Sequence, residues 1–137
     1  MATATMTYLG DLRVECKHEQ SGTIIYTDAP VDNNGQGRAF SPTDLCAASL
    51  ASCALTIMGM YANAHKVDIV GAKAEITKTM GTSPRSIAKL EVTFIMPDKK
   101  YTDKEKISLQ RAAATCPVKL TLEPNVELVV TYKWADE

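Results

Sequence analysis

Residues 40–66 read FSPTDLCAASLASCALTIMGMYANAHK, and this stretch decides the fold. Ser41 is a good helix N-cap and Pro42 suits the first helical position. Asp44 falls at the third, where a carboxylate favours the positive end of the helix dipole. No charged residue lies between Leu45 and Ala64, and His65 and Lys66 mark the end. About 20 apolar residues would span a bilayer. The composition argues against a membrane here, because Ala, Ser, Thr, Gly and Cys outweigh Leu, Ile and Val, and no second span exists. The stretch reads as a core helix buried on nearly every side.

Shorter elements flank it. Leu12, Val14 and Cys16 alternate with Arg13, Glu15 and Lys17, a half-buried strand. Gln20-Ser21-Gly22 is a turn into a second strand, Thr23 to Asp28, and 32–37 is an amide- and glycine-rich loop. Beyond the helix, Val67 to Met80 and Ser86 to Met96 read as strands around a Gly81–Pro84 hairpin loop. Ala88, Leu90, Val92, Phe94 and Met96 make the apolar face of the second. Thr102 and Glu105 form a capping-box pair opening a helix to about Thr115. Pro117 cannot continue it but can begin a short helix to Leu122. Val126 to Trp134 is a last alternating strand. The order predicts one α+β domain over 1–137, with a mainly antiparallel sheet packed on the long central helix. One small sheet covers one side of that helix only, so a second subunit is expected to supply the missing wall.

The 137 residues carry 15 basic and 16 acidic side chains, with 45% hydrophobic residues, as in a soluble globular domain. Near-neutral charge removes the footprint of a nucleic-acid binder, and no basic run suggests a membrane surface. Met1 to Tyr8 has no positive segment followed by an apolar one, so a cytoplasmic protein is expected. Four cysteines should then be reduced, and more often catalytic or metal-binding than disulfide-bonded.

Cys46 and Cys53 are two helical turns apart and share a face, roughly 10.5 Å between Cα atoms, too far for a disulfide within an intact helix. There is no C-x-x-C, and His18 and His65 have no ligand at short spacing, so no metal is expected. Cys116, directly before Pro117, takes the N-cap of the short helix, whose N–H groups should lower its pKa. Cys53 sits mid-helix and needs a neighbouring Arg or His to become reactive.

Phe40-Ser41-Pro42-Thr43-Asp44-Leu45 through Leu50-Ala51-Ser52-Cys53, followed by Cys116-Pro117-Val118, resembles the OsmC/Ohr family of thiol-dependent proteins. The resemblance implies an intertwined homodimer with a redox site built from two cysteines. It implies reduction of organic hydroperoxides in oxidative or osmotic stress defence, with Cys53 peroxidatic and Cys116 resolving. An external dithiol would recycle the pair, with no metal or organic cofactor. The peroxidase branch also carries an arginine in the first hairpin loop and a glutamate after the helix-opening proline. Here those places hold His18-Glu19-Gln20-Ser21-Gly22 and Thr43. Arg38 is then the nearest candidate cation for Cys53, and Thr43 and Asp44 are candidates for touching substrate. The alternative is an OsmC-like protein that binds a small ligand or senses redox state without efficient peroxidase activity.

Overall fold

The computed structural model describes all 137 residues. They form two compact units, Met1–Cys46 and Ala47–Glu137. The fold is α+β, with two three-stranded sheets where the sequence suggested one.

The first unit holds β1 (Ala4–Gly10), β2 (Arg13–His18) and β3 (Ile24–Asp28), an antiparallel meander. β1 is a strand beyond those expected from the sequence, with Met6 and Tyr8 alternating with Thr5 and Thr7. Met6 and Ile25 flank Cys16 across the sheet, which leaves Cys16 half-buried. After β3 the chain turns tightly, and a Cβ on Gly35 would meet the Ala29 carbonyl oxygen at 1.8 Å. Asp28 closes this loop. Its buried carboxylate accepts hydrogen bonds from the Arg38 backbone N–H at 2.9 Å and from Arg38 Nε at 2.7 Å and Nη2 at 3.2 Å. That grip holds the Asp28 carboxyl down at about 2.

The long helix α1 (Pro42–Ala64) begins as its sequence dictates. Ser41 Oγ accepts from the Asp44 N–H at 3.0 Å, and Asp44 Oδ2 accepts from the Ser41 N–H at 3.1 Å, a reciprocal cap.

The second unit adds β4 (Lys73–Gly81), β5 (Ser86–Ile95), α2 (Asp103–Ala113), α3 (Pro117–Leu122) and β6 (Glu127–Lys133). β4 starts later than Val67. Asp68 Oδ1 accepts from the Val70 N–H at 2.9 Å, and Gly71 sits at φ +96°, so 67–72 is a turn. β4 pairs antiparallel with β5, whereas β6 pairs parallel with it. A parallel return needs a crossover of a dozen or more residues, and α2 and α3 supply it. The Thr102–Glu105 capping box opens α2 as expected.

Within this unit, Ala47, Leu50, Ala51, Ala54, Met58 and Ala62 form one buried stripe of α1. They share a core with Leu90, Val92 and Phe94 of β5, Leu109 and Ala113 of α2, and Trp134. A single chain does not bury the helix on nearly every side. Only 33% of its most apolar window is buried, and Met60 is 60% exposed.

Candidate functional site

Two elements bring the site together. α1 carries Cys53 half-buried, packed against the core cluster that contains Cys116. At the end of α2 the chain tightens, with the Cys116 N–H donating to the Ala113 carbonyl at 3.2 Å, and Pro117 then starts α3. Cys116 is thereby the N-cap of α3, as its sequence position requires. Its Sγ accepts from the Lys119 N–H at 3.4 Å, and its S–H points at the Leu50 carbonyl, 4.0 Å away. In an α-helix the carbonyl of one residue lies beside the side chains three and four positions on. A thiol near the Leu50 carbonyl therefore lies beside Cys53, close enough for each to act on the other's ionisation.

The electrostatics reverse one expectation. The N-cap should lower the Cys116 pKa, and the N–H groups of Lys119 and Val118 do act that way. Burial outweighs them, because Cys116 is 0% exposed, and the neighbouring Cys53 pushes in the same direction. The net displacement of the Cys116 thiol is upward, so it holds its proton. The sequence reveals the cap but not the burial.

Beside the thiols lies a cavity of about 200 Å³. Leu50 and Ala54 flank Cys53 on α1 and line it, together with Val92, Phe94 and Leu128 of the sheet. Gln110, Lys119 and Tyr132 also line it. Burial lifts the Tyr132 hydroxyl to about 12, so it stays protonated as a donor. None of these three residues emerged from the sequence, although Lys119 follows from the N-cap reading, which places its N–H at the third helical position.

The other nominated residues belong to the first unit. Arg38 is engaged by Asp28 in the loop of the first unit. Asp44 and Thr43 surround the Ser41 cap, with Thr43 Oγ1 and Ser41 Oγ 3.2 Å apart. Cys46 and Cys16 are half-buried and form no disulfide. No three His, Cys, Asp or Glu residues gather as a metal site.

Comparison with known proteins bears on the family and the fold. The family model of OsmC-like proteins matches residues 35–131. A Psychrobacter arcticus 273-4 protein, provisionally described as an osmotic stress induced and detoxification response protein, is 44% identical. It covers 97% of this chain and 96% of its own, with a TM-score of 0.92. The organic hydroperoxide resistance protein OsmC of Legionella pneumophila has the same fold at 17% identity, covering 97% and 98% of the two chains, TM-score 0.74. So does an OsmC-like protein of Mycoplasma pneumoniae, at 18% identity over 96% and 94%, TM-score 0.78. No curated protein matches the sequence significantly. With both its cysteine motifs inside a family match that spans most of the sequence, this chain belongs to the OsmC-like family.

Proposed function

We propose that the protein reduces organic hydroperoxides with its own thiols, as a cytoplasmic homodimer recycled by an external dithiol. The Cys53 thiolate attacks the outer peroxide oxygen. The O–O bond breaks, the alkoxide leaves and takes a proton as alcohol, and Cys53 is left as sulfenic acid. The Cys116 sulfur then attacks the Cys53 sulfur, forming a disulfide and releasing water. A dithiol returns both cysteines to thiols and is itself oxidised to a disulfide.

The observation that carries this reading is the meeting of Cys53 and Cys116 across α1. Exposure and charge support this order of attack. Cys116 is sealed and held protonated, whereas Cys53 is half-buried. The apolar cavity beside them and the Thr43 that stands where the peroxidase branch has glutamate favour the second reading, a small-ligand binder. Consumption of cumene hydroperoxide in the presence of a dithiol separates the two. The peroxidase reading expects a rate far above that of a free thiol, and a rate equal to a free thiol decides for the binder.

The uncovered face of α1 supports the dimer. So do the exposed Met6, Tyr8, Ile24 and Ile25 of the first sheet. Obligate interfaces tend to exceed about 2,000 Å² of total buried surface, and such a pair does not dissociate at micromolar concentration. Sedimentation at that concentration should give a dimer, and a compact stable monomer would refute it.

A further inference from the structure

We propose that Cys116 acts before any disulfide forms, as the hydrogen-bond donor that holds the Cys53 thiolate. The inference deepens the reading of Cys53 as the attacking thiol and rests on it. A thiolate needs a compensating charge or donor. α1 offers no charge between Leu45 and Ala64. The charges on α2, α3, β5 and β6 are engaged or turned away. On α3, Lys119 Nζ is 3.0 Å from Glu123. On α2, Lys106 is tied to Asp136 and Glu137, Arg111 is exposed, and Asp103, Lys104 and Glu105 lie in the opposite, first turn. On β5, Lys89 and Glu91 pair with each other, alternating with the buried Leu90 and Val92. On β6, Glu127 and Lys133 are exposed and Tyr132 is neutral.

Cys116 is a donor placed against α1 beside Cys53. Lys119 N–H occupies its acceptor side at 3.4 Å, which turns the S–H toward α1. There the Leu50 carbonyl, 4.0 Å away, already takes part in the helical ladder and competes weakly. A thiolate is the stronger acceptor, so the S–H swings to Cys53 once that group ionises. Burial and like charge keep the pair from losing a second proton. The two thiols therefore share one proton at the moment of attack, with Cys116 holding it.

The test needs no peroxide, so its failure is distinct from failure of the peroxidase reading. Iodoacetamide alkylation of Cys53 is followed by peptide mass spectrometry at pH 7 and at pH 10, where thiolates form unaided. In Cys116→Ala, the pH 7 rate relative to the pH 10 rate should fall about three- to tenfold, the effect of losing a hydrogen bond worth about 0.7–1.4 kcal/mol. Cys116→Ser keeps both the N-cap and a donor, and should restore most of the ratio. An unchanged ratio in Cys116→Ala, or a serine variant as slow as the alanine one, overturns the proposal. Should Cys116→Ala not fold, the wild type answers alone through the ¹³Cβ shifts of its cysteines. Cys116 must stay at its thiol position across the pH range in which Cys53 alkylation rises, and a Cys116 that ionises first overturns the proposal.

Discussion

Cys53→Ser should abolish hydroperoxide turnover, down to the rate of the peroxide with the reductant alone. A serine hydroxyl has no ionised fraction to match a thiolate at neutral pH, and no base stands on the uncharged stretch of α1 to generate one. Cys116→Ser gives a different failure. Its hydroxyl preserves the cap of α3 and a donor toward Cys53, so the first oxidation survives and about one peroxide per chain is consumed before turnover stops. Steady-state assay with a dithiol, beside a single-turnover measurement, separates the two. Sustained turnover in Cys53→Ser would remove that cysteine from the chemistry altogether.

The second large effect concerns the wall behind the site. Phe94 is 1% exposed, stacks on Tyr132 with ring centroids 5.1 Å apart, and lines the cavity beside the thiols. Phe94→Ala removes that contact and enlarges a space already present, so little collapse can repair it. The expected cost is about 3–5 kcal/mol. For a chain of this length that lowers Tm by roughly 10–20 °C. Calorimetry or denaturant titration checks the figure, and a loss below about 1 kcal/mol would mean that this core repacks freely.

The features legible in the sequence were those written by neighbours in the chain. Ser41 and Asp44 are three apart and cap each other, Thr102 and Glu105 do the same, and Cys116 before Pro117 becomes an N-cap. The apolar face of β5 followed from its period-two alternation, with Leu90, Val92, Phe94 and Met96 buried. Alternation carries no strand direction, and so the parallel pairing of β6 was invisible. It also does not say which strands share a sheet, so two sheets were read as one.

The site divides along the same line. The family motifs brought Cys53 and Cys116 into view, but the sign of the Cys116 shift depends on burial contributed by distant segments. The sequence offers Arg38 as a cation without showing its pairing with Asp28, ten residues upstream at the end of a strand. Nothing local announced that pair. The long helix is less buried than its sequence suggests for a related reason. An uncharged run records that charge is excluded from it, not which surface excludes the water, and one chain covers only one stripe.

The central claim is that Cys53 and Cys116 form the working pair, and disulfide mapping tests it most directly. The reduced protein is treated with one equivalent of organic hydroperoxide, its remaining thiols are alkylated, and its peptides are identified by mass. The account predicts one linked pair joining the Cys53 and Cys116 peptides, with Cys16 and Cys46 recovered alkylated. A main product containing Cys46 or Cys16, or four alkylated cysteines, would contradict it.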